Sequence, residues 1–330
     1  MLIVVPHLFP AGRLRESVQD LRLPALETLV ARGERIAYTA EGVEAALCEA
    51  LGIARQRDWP IAPLTRVADG RSPDAFYWLR ADPVHLQLLR DRVVLASRGV
   101  LHVSREEADA LAATVHAHFG DEFRPDPVHP QRWYLKYAQA PELATTPPGV
   151  AAGRNIGPLQ PAGSEGRKLR ALLNEVQMLF HAHPVNAARE ARGEPAVTSL
   201  WVWGGGVLAP APDAARPVFA DSHELRAIGA YCGDAHPLPK QADRLPENAV
   251  VVLEELAAPA ESGDALGWRE TAAQLDRTWF ASLARASGLW GREGLRIADP
   301  INGRAVHLGR RDTYRFWRRP RPLSAVDWRN

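Results

Sequence analysis

An α/β chain is predicted from three observations. Residues 2–5 form a short, continuously apolar run, suited to a strand buried on both faces of a parallel sheet. Residues 249–253 and 295–298 have the same buried-strand character late in the chain. Between such runs lie stretches with apolar residues at helical spacing. The clearest is 167–180, where Leu169, Leu172, Leu173, Val176 and Phe180 form one stripe.

Taken in order, residues 23–33 read as a helix with Pro24 in its first turn and Gly33 as its stop. A second helix covers 43–51 and ends at Gly52. Residues 59–65 carry too much proline for a helix and are expected at the surface. Residues 75–79 are strand-like and lead into Arg80 and Asp82, a pair that satisfies a turn or holds a ligand. Residues 93–95 and 100–103 read as two strands, followed by a helix that Ser104 and Glu107 open as a capping box. His116 and His118 on that helix are two apart, so they point to different faces and do not share a metal. Residues 132–137 are a strand and 141–166 a Pro/Gly-rich connection. Residues 92–165 thus read as a small α+β insertion between 1–91 and 166–330.

The densest polar chemistry lies at 174–206. Asn174, Gln177 and His181 share one helix face, and Pro184 stops that helix. Asn186 suits the N-cap of a short helix over 187–192, and His183 and Arg189 flank it. The buried strand 197–203 runs into Gly204, Gly205 and Gly206. Such glycines let backbone N–H groups approach an anion, or simply make a tight turn. Later, residues 224–231 and 268–286 read as helices, and Asp299 ends the strand at 295–298. Residues 304–321 hold seven arginines and one acid, Asp312, interleaved with Tyr314, Phe316 and Trp317. That pattern fits a solvated edge strand or nucleic-acid contact.

Length and charge bound the function. The 330 residues suggest about two domains, and 46% hydrophobic with 24% charged residues is ordinary globular composition. A net charge of +1 argues against a generally basic nucleic-acid binder. Cys48 and Cys232 alone give neither a disulfide framework nor a cysteine zinc site. No apolar run approaches bilayer length, and the first ten residues lack a basic n-region. A cytoplasmic protein without a membrane partner is expected.

Several strings together resemble the RpfE-type regulatory protein family of bacteria: Trp59-Pro60, Leu64-Thr65, Trp78-Leu79-Arg80-Ala81-Asp82-Pro83, Arg132-Trp133-Tyr134-Leu135 and His183-Pro184-Val185-Asn186. More distantly, the layout is similar to archaeal-type cofactor-independent phosphoglycerate mutases. There a His-Pro-x-Asn-x-x-Arg turn and a strand ending in glycines follow an inserted domain. His183, Pro184, Asn186 and Arg189 fit that turn, and Pro24 to Leu29 and Gly263-Asp264 fit other parts of the pattern. The resemblance implies an alkaline-phosphatase-like α/β sandwich with a central, mostly parallel sheet and a small inserted domain.

Chemistry in that superfamily needs a serine or threonine nucleophile and two divalent metals held by Asp and His. Where the resemblance places the first ligand, this chain has Pro6-His7; where it places the nucleophile, Glu41-Gly42-Val43-Glu44. Residues 256–262 lack the Asp-x-x-x-His cluster, and Asp299-Pro300 keeps one carboxylate. The expectation is a degenerate, regulatory or anion-binding protein without a cofactor. Arg80, Asp82, His183, Asn186, Arg189, Gly204, Gly205, Gly206 and Asp299 are the candidate ligand residues. A phosphorylated or other anionic small molecule, or a protein, is the expected partner, and nucleic acid is not. The alternative is an active, manganese-type phosphoglycerate mutase drawing ligands from His7, His223, His236 or His307.

Overall fold

The computed structural model describes residues 1–9, 11–89, 92–213, 216–242, 245–285 and 294–328. The chain divides into two compact units, residues 1–53 with 211–330 and residues 54–210. The first unit opens with β1 (Leu2–Val4), whose three apolar residues are all buried. In α1 (Pro24–Arg32), proline occupies the first turn, where a missing N–H breaks no helical bond. The edge strand β2 (Glu34–Ala37) follows, and then α2 (Val43–Ala50), entered through Gly42 at φ 98°. Only glycine adopts that entry angle without strain.

The second unit begins with α3 (Ile61–Ala68), which corrects the reading of 59–65 as unable to form a helix. Pro60 is its N-cap and Pro63 lies in its first turn, whose N–H groups have no intrahelical acceptor in any case. β3 (Tyr77–Val84) runs through Arg80 and Asp82, so the pair sits inside a strand and not in a turn. β4 (Leu86–Leu89) and β5 (Arg92–Leu95) make a two-stranded antiparallel ribbon, whereas residues 100–103 form no strand. α4 (Arg105–Phe119) opens on the expected capping box of Ser104 and Glu107. Then come β6 (Asp126–His129), β7 (Arg132–Tyr137), the single turn α5 (Pro148–Ala151) and α6 (Gly166–His181). α7 (Pro184–Ala191) starts at the proline with His183 as N-cap, which places Asn186 inside the helix. Proline is pre-set for a first helical turn, and that preference overrides asparagine's preference for a cap. β8 (Ser199–Gly206) keeps the three glycines within the strand and fully buried.

These strands form an antiparallel sheet in the order β6-β7-β3-β8. One face is apolar: Leu79, Trp133, Leu135, Leu200 and Val202 pack with Leu111, Leu169 and Phe180 of α4 and α6. The opposite face carries Trp78, Arg80 and Asp82, beside α3. Residues 92–165, read from the sequence as an insertion, lie in this unit together with 54–91 and 166–210.

The chain returns to the first unit with β9 (Val218–Phe219), α8 (His223–Tyr231), β10 (Ala235–His236), β11 (Val250–Val252) and α9 (Ala257–Ser262). The helix expected at 268–286 begins earlier, as α10 (Ala265–Leu275), with the Asp264 side chain accepting from Gly267 N–H. A π-turn, Asp276–Phe280, joins it to α11 (Ala281–Arg285); residue 286 lies outside the described residues. β12 (Leu295–Asp299) and β13 (Arg304–Leu308) complete a seven-stranded sheet, β10-β9-β11-β1-β12-β13-β2. β1 is parallel to both neighbours, and only the β13 pairings are antiparallel. The fold is therefore α/β with a mixed, mainly parallel sheet. β13 lies between two strands, so the arginine-rich segment is not the edge; β2 is, and residues beyond 308 leave the sheet. Among the described residues, no helix is long and apolar enough to cross a membrane.

Candidate functional site

The His-Pro-x-Asn-x-x-Arg motif closes the α6–α7 corner onto β8. His183 Nδ1 accepts from Val185 N–H at 3.1 Å, so its Nε2 holds the proton and meets Thr114 Oγ1 at 3.0 Å. Burial lowers the imidazole pKa and favours this neutral form. Asn186 Nδ2 donates to Phe180 O and Val197 O, both at 2.7 Å, and its Oδ1 accepts from Val197 N at 2.8 Å. Both N–H groups and the oxygen of that amide thus bond backbone. Arg189, 2% exposed, donates to Pro195 O, His102 O and Glu107 Oε2. Glu107, the capping-box acid of α4, also takes Arg192 at 2.8 Å. These residues tie three elements together, and Asn186 and Arg189 have their polar groups turned inward.

Arg80 is 1% exposed on an interior strand of the antiparallel sheet. The register sets Tyr134 opposite it on β7 and Trp203 on β8. Its guanidinium therefore lies 5.5 Å and 5.2 Å from those two ring centroids. Asp82, two residues along the same face, accepts from Arg80 Nε at 2.9 Å and Nη2 at 2.8 Å, a bidentate pair. The same carboxylate takes Trp203 Nε1 at 2.8 Å. Arg80 Nη1 reaches Thr65 Oγ1 on α3 at 3.3 Å. Tyr134 Oη donates to Asp69 at 2.7 Å, and Asp69 in turn holds Arg132. One polar network thus fastens α3 to the sheet.

Sequence reading missed Thr65, Asp69 and Tyr134. Arg132 and Tyr134, like Arg80 and Asp82, are two apart, so strand periodicity does mark a polar face. Asp69 is 63 residues from Arg132 and carries no local signal.

The glycines serve close packing. A Cβ on Gly204 would stand 3.0 Å from Ile61 Cβ, one on Gly206 2.9 Å from Pro60 Cα, and one on Gly205 would strike Tyr77 Oη. Gly204 N–H donates to Thr145 Oγ1 at 3.2 Å, and Thr145 itself donates to the buried Asp58. Burial pushes the Asp58 carboxyl up. Among the described residues the buried Tyr77 Oη meets no hydrogen-bond partner, and burial, with Asp58 nearby, pushes its phenol up to about 12.

Asp299 belongs to the other unit, at the carboxyl end of β12 and beside that of β1. It is 0% exposed. Oδ1 accepts from the backbone N–H of His7 (3.0 Å), Ile301 (3.1 Å) and Asn302 (3.2 Å). Oδ2 accepts from Phe9 N–H and Asn302 Nδ2, both at 2.9 Å. Burial pushes the carboxyl up, while the Asn302 side chain and the backbone N–H groups of Phe9, Asn302 and His7 pull it down. Five N–H groups occupy the lone pairs that a metal ion would need, so this carboxylate does not fit a divalent site. Among the described residues, no three or more of His, Cys, Asp and Glu are grouped to hold a metal ion.

No family model matches the chain, and no curated protein matches it. Among the solved structures similar to it are the following two. One is a cofactor-independent phosphoglycerate mutase from Thermoplasma acidophilum DSM 1728, at 15% identity and TM-score 0.46, over 93% of this chain and 89% of that one. The other is the PH0037 protein from Pyrococcus horikoshii, at 13% identity and TM-score 0.47, over 93% and 86%.

Proposed function

We propose that this chain is a non-catalytic, phosphoglycerate-mutase-like protein of the alkaline-phosphatase-like kind. It acts as the RpfE-type regulatory proteins it resembles are expected to act, by binding an anionic molecule or a protein instead of transferring phosphate. The observation that carries this reading is the state of Asp299. It is the one carboxylate left where the resemblance expects metal ligands, and its oxygens are engaged by five N–H donors that tie the β1 and β12 loops together. The entry to α2 supports it as well. Where the resemblance expects a nucleophile, Gly42 at φ 98° is followed by the buried Val43 and Glu44, with no hydroxyl among them. In this reading Arg80, Asp82, His183, Asn186, Arg189 and the three glycines shape the second unit and contribute to binding through that shape.

A coupled assay of 3-phosphoglycerate to 2-phosphoglycerate conversion on the purified chain tests it. No turnover is expected with or without added manganese. Manganese-dependent turnover abolished by chelation would overturn the proposal and return the active-mutase alternative, with ligands supplied from histidines.

A further inference from the structure

Beyond that reading, and independent of it, the first unit carries an arginine-lined cleft. It has a volume of about 1070 Å³ and runs along the start of β2, with Arg35, Arg315, Arg318, Arg319, Arg321 and Trp317 on its walls. Five arginines face three acids, and one of those, Glu27, is already held by Arg22 at 2.9 Å. Two of the guanidinium groups are braced by backbone: Arg315 donates to Arg32 O and Arg318 to Gly33 O, both at 3.3 Å. Arg315 also pairs with Asp312 at 2.9 Å, whereas the bracing of Arg318 leaves other N–H groups of its planar fork pre-oriented for carboxylate. Arg319 and Arg321 are exposed, and neither forms an ion pair among the described residues. Tyr314, Phe316 and Trp317 are 73%, 78% and 65% exposed in the same segment, a concentration of Arg, Trp and Tyr typical of binding hot spots.

Glu34 and Arg35, at the start of β2, line this cleft, and β2 is an edge of its sheet. Among the described residues β2 pairs only with β13, and Tyr38 N–H bonds Gly303 O just beyond the ladder. Antiparallel pairing alternates, so Glu34 and Ile36 share the inward direction with Tyr38. The backbone groups of Arg35 and Ala37 then point away from the sheet, where a further strand would pair. Exposed edges of this kind accept extended peptides, with main-chain bonds giving affinity and flanking side chains giving selectivity.

We propose that the β2 edge docks an extended acidic polypeptide segment, its backbone paired with Arg35 and Ala37 and its carboxylates held by Arg318, Arg319 and Arg321. Nucleic acid fits the cleft less well. Phe316 and Trp317 meet edge to face at 79°, so they offer no parallel platforms for successive bases, and Glu34 and Asp327 on the walls repel a continuous phosphate backbone.

The test is fluorescence anisotropy on the full chain. The probe is a labelled ten-residue peptide of alternating glutamate and valine, compared with its lysine counterpart and a thymidine oligonucleotide of equal charge. The glutamate peptide is expected to bind saturably, more weakly as salt rises, and the lysine peptide not at all. Arg319→Glu with Arg321→Glu, both at the surface, is expected to lower affinity about tenfold or more while leaving the thermal melt in place. Ala37→Pro removes an outward N–H without touching the β13 ladder, and is expected to weaken binding several-fold. N-methylating alternate amides of the peptide asks the same question without altering the protein. Absence of saturable binding, affinity unmoved by the double arginine reversal, or tighter binding of the oligonucleotide overturns the proposal. Affinity unmoved by both Ala37→Pro and N-methylation overturns the strand pairing.

Discussion

The two units solve the same problem, covering both faces of a sheet, with opposite materials. In the first unit β1 and β11 are apolar at every position, and Ile3, Val251 and Ile297 sink into a core with Leu26, Trp268 and Phe280. In the second unit only one sheet face is apolar. The other is held to α3 by Arg80, Asp82, Thr65, Tyr134 and Asp69. Apolar burial is non-directional and tolerates a change of partner, whereas a buried ion pair loses its stabilisation when either member is removed. The second unit is therefore the more brittle of the two, and its polarity reads as architecture more readily than as a binding site.

The sharpest way to break that comparison is Arg80→Ala. It removes the guanidinium that faces the Asp82 carboxylate and leaves a gap between Tyr134 and Trp203, for an expected loss of about 3–5 kcal/mol. Urea unfolding followed by tryptophan fluorescence measures it, with Trp78, Trp133 and Trp203 reporting from that sheet. Replacing both partners, Arg80→Met with Asp82→Leu, is expected to recover part of the loss, because no charge is then left unpaired. A cost below about 1 kcal/mol for Arg80→Ala would mean that the pair is not structural and would favour its role as a ligand holder.

A smaller effect is expected in the first unit. The π-turn brings Asp276 to the amino end of α1, which has no cap of its own, and Asp276 accepts from Leu26 N at 2.7 Å and Ala25 N at 3.3 Å. Asp276→Ala is expected to cost about 1–2 kcal/mol in the same unfolding experiment, the range of a lost N-cap. A loss as large as that of Arg80→Ala would erase the contrast between the units.

The smallest is a pH effect at His183. Its folded pKa lies below the ordinary 6.5 because burial disfavours the imidazolium. The unfolded chain then takes up the proton first, so the contribution is present above pH 6.5 and is lost as pH falls through the folded pKa. Comparing melts between pH 7.5 and 5.5 should show a shallower decline for His183→Asn, which can still cap α7. Identical slopes would remove His183 from the account.

How much of this was legible in the sequence varies with the kind of residue. The buried strands of the parallel sheet, α1 with its proline start, the Ser104 capping box and β7 all follow from local rules, and the structure has them. The reading failed where a rule had a local exception. Proline at 60 and 63 was compatible with a helix because it fell at the start, and Pro184 outcompeted Asn186 for setting the start of α7. The sequence offers the candidate residues as ligand groups, and no local rule says which way they face. That Arg80, Asn186 and Arg189 face inward depends on partners such as Thr65, Val197 and Glu107, and only Val197 lies close by in sequence.

What the sequence determined by itself is therefore the set of elements and their apolar faces, since helix and strand periodicity, capping and proline stereochemistry act within a few residues. Only the tertiary structure decided what the polar residues do. A buried charge is governed by the group placed opposite it, and in Arg132 that group is Asp69, brought from another element by the packing of α3 on the sheet. The same holds for the arginines after β13, whose setting beside an open edge depends on β2 ending the sheet.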